Sequence, residues 1–284
     1  MILDGKALAA KLKEEMKAEV GKLNANGIFP KLAVILVGED PASQVYVRNK
    51  ARDCEEVGII SQTIVLPVET GREELAELIR SLNDDDSVNG ILVQLPLPAG
   101  LDDSEITQLI APQKDVDAFS YYNVGRIMTG EYSFVPCTPA GCMELIKLSG
   151  ISVEGKSCVV IGRSNIVGKP MAMLLMQANG TVTICHSRTR DLADITRKAD
   201  ILVVAIRKPG YITGDMIKEG AVVIDVGINR CPDGKLRGDC DFDSCAEKAS
   251  YITPVPGGVG PMTRVMLLKN TLNAAKIQEV SNND

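Results

Sequence analysis

A tyrosine and a lysine four residues apart, Tyr46 and Lys50 in SQVYVRNKARDCEEVG (43–58), could do chemistry if one helix carries both. At about 100° of rotation per residue, Tyr46, Val47, Lys50, Ala51, Cys54 and Val57 fall in a sector roughly 140° wide. Arg48, Arg52, Asp53, Glu55 and Glu56 fall outside it, so Lys50 is the one charge on the expected buried side. Two readings stand. A lysine stem can lie along apolar surface while its ammonium reaches water. Alternatively, a lysine held against apolar groups has its pKa lowered and exchanges protons near neutral pH. Tyr46, one turn earlier, narrows the choice without settling it.

Further polar residues stand where α/β sheets bind ligands. GILVQLPLP puts Gln94 at the carboxyl end of an apolar strand, with prolines at 96 and 98 ending it. An amide there can orient a neighbouring ammonium or satisfy loop carbonyls. QKDVDAF offers Asp115 and Asp117 in a loop, where exposed carboxylates are common, and PVPGGVGPMT supplies glycine N–H groups beside a last helix. In KSCVVIGRSNIVGKPMAMLL (156–175) a buried strand meets a glycine turn and then a helix opening near Gly168, a place for a phosphate at the positive end of the helix dipole. Gly162 and Gly168 stand six apart with Arg163 and Ser164 between them, so the spacing is not G-x-G-x-x-G. The next strand, TVTIC, runs into His186, Ser187, Arg188, Thr189 and Arg190 rather than into the acidic residue that would hold a ribose 2′-hydroxyl. Hydroxyls and cations suit a 2′-phosphate, which favours NADP over NAD, with Ser187 and Arg163 as candidate partners. His186 is the only histidine, and its place at a strand end suits a structural or cofactor-edge role.

The elements that must carry these residues follow a βαβ order. Continuous apolar runs at 32–38, 90–96, 158–162, 181–185, 200–206 and 221–227 predict parallel strands covered on both faces. Helical patterns at 4–23, 43–57, 71–82, 139–148, 168–179, 190–198 and 262–277 alternate with them. A chain of 284 residues that is 45% hydrophobic predicts two domains. Net charge of −6 and 4% aromatics argue against a nucleic-acid-binding face. Neither a secretory signal nor a transmembrane span is expected. Eight cysteines without C-x-x-C, beside one histidine, read as reduced thiols in a cytosolic protein with no metal site. The final EVSNND reads as disordered.

YVRNK, GILVQLPLP, KDVDAF, PCTPAG, GRSNIVGKP, TVTICHSRT and PVPGGVGPMT, in that order over nearly the whole chain, resemble the bifunctional methylenetetrahydrofolate dehydrogenase/methenyltetrahydrofolate cyclohydrolases of the bacterial FolD type. The resemblance implies an α/β fold of two domains with a cleft between them. Residues 1–138 would form a smaller catalytic domain onto which helix 262–284 packs back, and 139–261 a Rossmann-type NADP-binding domain. It implies NADP-dependent oxidation of 5,10-methylenetetrahydrofolate and hydrolysis of the methenyl product to 10-formyltetrahydrofolate, by a cytoplasmic homodimer acting on small tetrahydrofolate derivatives, with no membrane or nucleic acid. By match to the family's motifs, Lys50 is the catalytic lysine, Tyr46 packs by the folate, Gln94 orients the lysine and Asp117 binds the pterin ring. Val93, Leu95 and the stretch Pro256, Gly257, Gly258, Val259, Gly260 would border the substrate. Gly162, Arg163, Ser164, Ser187 and the backbone at Ile228 would contact the cofactor.

Two residues depart from the family pattern. Ala118 replaces the glycine of K-D-V-D-G, and Arg207 in AIRKPG stands where the family has the glycine of A-x-G-x-P. A non-glycine residue resists that backbone conformation. Either Arg207 reaches towards the cofactor phosphates, or its loop is displaced and the dehydrogenase is weak beside an intact cyclohydrolase. Y-x-x-x-K also marks short-chain dehydrogenases, another class of NADP-dependent oxidoreductase, but there it follows the cofactor turn, whereas Lys50 precedes Gly162. A non-catalytic NADP-sensing module is a further alternative; it would leave Tyr46, Lys50, Gln94 and Asp117 idle.

Overall fold

The computed structural model describes residues 1–282; the last two residues of the EVSNND tail lie outside the described residues. The chain divides into two compact units, one of Lys11–Val135 with the residues from Arg264 onward, the other of Met1–Ala10 with Pro136–Thr263.

The elements of the first part of the chain are α1 (Gly5–Ala25), β1 (Lys31–Val37), α2 (Pro41–Val57), β2 (Ile60–Leu66), α3 (Arg72–Asp84), β3 (Gly90–Val93), α4 (Asp103–Thr107) and α5 (Tyr121–Thr129). Three parallel strands form a sheet in the order β2-β1-β3. β1 is apolar throughout and sits in the middle. Its alternate residues Ala33, Ile35 and Val37 pack with Leu75 and Ile79 of α3 and with Ile91 and Val93 of β3. β2 is an edge strand whose residues are half-buried or exposed, and its polar Ser61, Gln62 and Thr63 interrupt the apolar run that reveals the other strands. The Lys114 ammonium donates to the Leu82 and Asp85 carbonyls at 3.1 and 2.8 Å, closing the carboxyl end of α3.

The second unit contains α6 (Cys137–Leu148), β4 (Ser157–Ile161), α7 (Gly168–Gln177), β5 (Thr181–Cys185), α8 (Leu192–Thr196), β6 (Ile201–Val204), β7 (Val222–Asp225), the two-residue strands β8 (Asn229–Arg230) and β9 (Leu236–Arg237), α9 (Phe242–Ala246) and β10 (Tyr251–Ile252). Its parallel sheet runs β10-β7-β6-β4-β5. β6 and β7 are buried along their length and β4 from Cys158 onward, as apolar runs covered on both faces require. β5 differs: it is an edge strand with Thr181, Thr183 and Ile184 exposed. The chain start joins the other edge, where Leu3 N–H donates to the Ile252 carbonyl and Ile2 bridges Ile252. That pairing places the first ten residues with this unit, whereas the sequence expectation grouped them with residues 1–138.

The last helix, α10, spans Val259–Asn282, three residues earlier at its start than the helical pattern predicts. Its part beyond Arg264 groups with the three-stranded unit. There the Asn270 amide donates to the Val116 and Val135 carbonyls, and the Gln278 amide to those of Asn89 and Gln113. Among the described residues no helix is long and apolar enough to cross a membrane.

Candidate active site

Helix α2 is delimited tightly. Asp40 caps its start by accepting from Ser43 N–H at 2.7 Å, Pro41 fills the first turn, and Gly58, at φ 84°, ends it in the left-handed conformation. Within it the helical wheel is only partly obeyed. Val47, Cys54 and Val57 are buried, Lys50 and Ala51 are half-buried, and Tyr46 is 45% exposed. Asp53, expected on the solvent side, is buried instead. Charges from two other helices explain this: Asp53 accepts from the Lys13 ammonium of α1 at 3.1 Å and from Arg264 Nε of α10 at 2.6 Å. A buried carboxylate is tolerated when it is paired and hydrogen-bonded, and a wheel of one helix does not see partners on others. Burial pushes the Cys54 thiol on the same face up to about 12, the neighbouring Asp53 charge adding to the effect, so it is held as a thiol.

The Lys50 ammonium donates to Gln94 Oε1 at 3.0 Å. Gln94 is itself fixed, since its Nε2 donates to the Leu95 carbonyl at 2.7 Å. That bond turns the amide oxygen towards Lys50. Gln94 follows directly on β3, and its N–H donates to the Ile35 carbonyl of β1, so the sheet sets where the amide starts. Val93 points into the core, Leu95 packs at its margin, and the Leu95–Pro96 peptide is cis. The two predicted acids of KDVDAF part company. Asp115 is buried, accepting from Phe119 and Ser120 N–H and from the Asn123 amide at 3.3, 2.8 and 3.0 Å, so it braces the loop. Asp117 stays half-buried beside it. Ala118 adopts φ 57°, in the left-handed region that favours glycine.

In the other unit the strand β4 ends at Gly162, with φ 128°. A Cβ there would stand 2.4 Å from the Ala205 carbonyl oxygen, and a Cβ on Gly168 would stand 2.2 Å from the Gly162 carbonyl oxygen. The turn is thus folded closer than any side chain permits. Ser164 Oγ accepts from Val167 and Gly168 N–H at 3.2 and 3.3 Å, where α7 opens. Arg163, Ser164, Ser187, Arg188 and Arg190 are exposed, and no carboxylate stands at the end of β5. This set fits a dinucleotide with a 2′-phosphate: a cradle without side chains beside hydroxyls and cations. His186 is spent locally, its Nδ1 accepting from Arg188 N–H.

Two buried carboxylates that sequence reading passed over order the neighbouring loops. Asp225, at the end of β7, accepts from Gly227, Asp239 and Cys240 N–H. Asp239 accepts from Ile206, Arg207 and Lys208 N–H. Arg207 therefore sits at φ 57° with its backbone N–H held by Asp239. Burial pushes the Asp225 carboxyl up to about 6 against three N–H donors, with Asp239 raising it further. Cys240 and Cys245 also face it. A pKa raised on folding favours the neutral form, so this group's contribution to stability is complete below about 4 and is lost as pH rises through about 6. The Asp225 carboxyl carbon should titrate by NMR with a midpoint near 6. Relative to Asp225→Asn, the protein should lose about 1 kcal/mol of stability between about pH 5 and 7; a flat difference, or a midpoint near 4, would contradict this.

Ile228 is 46% exposed. A Cβ added at Gly260 would lie 3.5 Å from its Cδ1, so Ile228 and the glycine stretch of PVPGGVG are neighbours. Pro256 is exposed, Gly257, Gly258 and Val259 are buried, and the Val255–Pro256 peptide is cis. Gly258 has no room for a side chain, since a Cβ there would stand 2.7 Å from the Pro254 carbonyl oxygen.

Comparison with known proteins agrees with both halves. Residues 3–117 match the family model of the tetrahydrofolate dehydrogenase/cyclohydrolase catalytic domain, and 136–279 that of its NAD(P)-binding domain. The chain is 62% identical over 275 residues to the bifunctional protein FolD of Moorella thermoacetica, covering 97% of this chain and 98% of the relative. The bifunctional FolD methylenetetrahydrofolate dehydrogenase/cyclohydrolase of Campylobacter jejuni superposes with a TM-score of 0.96 at 53% identity, covering 98% and 99% of the two chains. The Trypanosoma brucei FolD, solved with NADP cofactor and an inhibitor, superposes at 0.93 with 41% identity over 98% and 97%. With a lysine aimed by a strand-end amide in one half, a side-chain-free cradle in the other, and matches along nearly its full length, the chain belongs to the tetrahydrofolate dehydrogenase/cyclohydrolase family.

Proposed function

We propose that this chain uses Lys50 as the proton-exchanging group of a bifunctional folate enzyme. Membership of the family carries the two activities: NADP-dependent oxidation of 5,10-methylenetetrahydrofolate to the methenyl form, and hydrolysis of that form to 10-formyltetrahydrofolate. The observation that supports the assignment of residues is the 3.0 Å bond from Lys50 to an amide that is itself locked.

The work divides between the residues as follows. Gln94 Oε1 accepts from the lysine amine in either protonation state, so it aims the group without fixing its charge. Lys50 takes one proton from the water that adds to the methenyl cation and returns it to the departing ring nitrogen; as that C–N bond breaks and the formyl C=O forms, the remaining hydroxyl proton passes to solvent, so one proton is released per cation hydrolysed. Half-buried Asp117 binds the pterin, its loop held by Asp115. Tyr46, exposed one helical turn before Lys50, packs by the folate. Val93 supports the strand from inside, and Leu95 and the 256–260 stretch border the substrate. Gly162, Arg163, Ser164, Ser187 and the Ile228 backbone hold NADP, which when bound supplies the hydride acceptor. Residues 11–135 with the returning helix act as the substrate domain, and 1–10 with 136–263 as the nucleotide domain, in a cytoplasmic homodimer.

The test is an absorbance assay of methylenetetrahydrofolate oxidation with NADP+ and NAD+ in parallel, together with methenyltetrahydrofolate hydrolysis. Both reactions should proceed, with NADP+ preferred by about tenfold or more, as one charge-assisted phosphate contact provides. A preference for NAD+ would remove Ser187 and Arg163 from the phosphate site. Ketone reduction with NADPH and no folate turnover would favour the short-chain dehydrogenase reading.

A further inference from the structure

We propose that Asp239, backed by Asp225, is a positioning residue for the dinucleotide: its buried carboxylate ties together the loops that follow β6 and β7, the first of which packs against the glycine turn at Gly162. The inference rests on the reading that Gly162 and Ile228 meet the cofactor. Asp239 is fully buried. Its Oδ2 accepts from Ile206 and Arg207 N–H at 2.7 and 3.0 Å, and its Oδ1 from Lys208 N–H and the Asn229 amide at 2.8 and 2.9 Å. Four donors use the four lone-pair sites a carboxylate has, so this group has nothing left to offer a ligand and acts through the loops it holds.

Each held loop leads to the nucleotide site. Ile206 follows Ala205, whose carbonyl oxygen is the atom that leaves no space for a Cβ on Gly162. Ile228 stands between two anchored neighbours: Gly227 N–H donates to Asp225 Oδ1 at 2.9 Å, and the Asn229 side chain donates to Asp239. Asp225 in turn accepts from the N–H groups of Asp239 and Cys240 at 2.9 and 2.8 Å, which fixes where the second carboxylate stands. The interlock needs glycines at its contacts. A Cβ on Gly227 would stand 2.3 Å from the Asp239 carboxyl carbon, and one on Gly238 would stand 1.9 Å from Asp225 Oδ2. The cost of the arrangement falls on Arg207, kept at φ 57° where an L side chain is disfavoured. Three consecutive N–H groups converging on one carboxylate offset that cost, because each is a charge-assisted bond in a buried place.

Asp239→Asn keeps the shape but loses half the acceptors and turns an amide donor against other donors. The loop then leaves its bound-like conformation, and apparent affinity falls with the fraction that remains competent. Isothermal titration of the full-length protein with NADP+ should show a dissociation constant raised about tenfold or more in Asp239→Asn. Adding Arg207→Gly to that variant frees the backbone to return to positive φ, and should bring the constant back to within about threefold of wild type. A role confined to general stability would not be repaired by removing a side chain at 207. An Asp239→Asn protein that binds NADP+ within about twofold of wild type, or a double variant with no recovery, would overturn the proposal. If Asp239→Asn does not fold, Asn229→Ala removes one donor of the four and should still raise the constant about threefold, no change overturning the proposal. Failure of the wild type itself to bind NADP+ would mark the loss of the glycine-turn reading, and the inference would fall with it.

Discussion

Replacing Lys50 with methionine is expected to lower methenyltetrahydrofolate hydrolysis by about 10²- to 10⁴-fold, the range that positioned acid–base groups contribute. Methionine keeps the length and apolar character of the stem, so the half-buried position on α2 stays filled and the helix caps at Asp40 and Gly58 are untouched. What is lost is the amine and its bond to Gln94. Lys50→Arg separates two explanations that methionine leaves together. A guanidinium retains the positive charge and can still donate to Gln94, yet it does not give up a proton in proteins. If proton exchange is the requirement, arginine is as poor as methionine; if a fixed positive charge suffices, arginine retains most of the activity. Hydrolysis at the wild-type rate in Lys50→Met would remove Lys50 from the mechanism, while wild-type melting of both variants would assign the loss to chemistry.

The sequence made the sheets legible because their central strands are apolar on both sides. The six runs that it marks contain six strands: β1, β3, β4, β5, β6 and β7. β2 escaped because it is an edge strand carrying Ser61, Gln62 and Thr63, and edges need no continuous apolar run. The short helices α4, α5 and α9 escaped because they span five to nine residues, too few for a period to register. Their starts were nonetheless written locally, in Asp102, Ser120 and Asp241, whose side chains each accept from a first-turn N–H.

The contact between Lys50 and Gln94 was legible because one residue sits on a single helix face and the other at a strand end. A carboxylate buried by partners far along the chain was not legible. Asp53 is buried by Lys13 and Arg264, and Asp239 collects donors from residues 206–208 and 229. No spacing rule reports such pairings, and a polar residue among turn residues reads as solvated. Arg207 shows the converse. Its type offered two readings, a reach towards the cofactor phosphates or a displaced loop, and neither included the carboxylate more than thirty residues away that holds its backbone at positive φ. The signal available in the sequence was GDCDFD itself, an acid next to a glycine shortly after VVIDVGIN, where a second glycine follows another acid.

Gly162→Ala is expected to abolish useful NADP+ binding while methenyltetrahydrofolate hydrolysis continues. Its φ of 128° lies where L side chains are rarely found, and an added Cβ would stand 2.4 Å from the Ala205 carbonyl oxygen and 3.4 Å from the Ala205 side chain. The obstacle is backbone held by its own bond, since Ala205 N–H donates to the Ile161 carbonyl at 2.8 Å, so it cannot swing aside as a flexible side chain would. Relief requires the turn to open, which separates Gly162 from Ala205 and moves the N–H groups at the start of α7. Backbone strain of this kind costs about 1–3 kcal/mol before any clash is counted, which alone corresponds to roughly 5- to 150-fold in affinity. Gly21→Ala supplies the contrast: that glycine is exposed within α1 and a Cβ on it meets nothing within 4 Å. It should leave both reactions unchanged and stabilise the helix by about 0.5–1 kcal/mol. Calorimetric titration with NADP+ and the two absorbance assays measure all of this. Hydrolysis lost in step with oxidation in a folded Gly162→Ala protein would mean that the turn serves both reactions; affinity preserved would mean that the cofactor lies elsewhere.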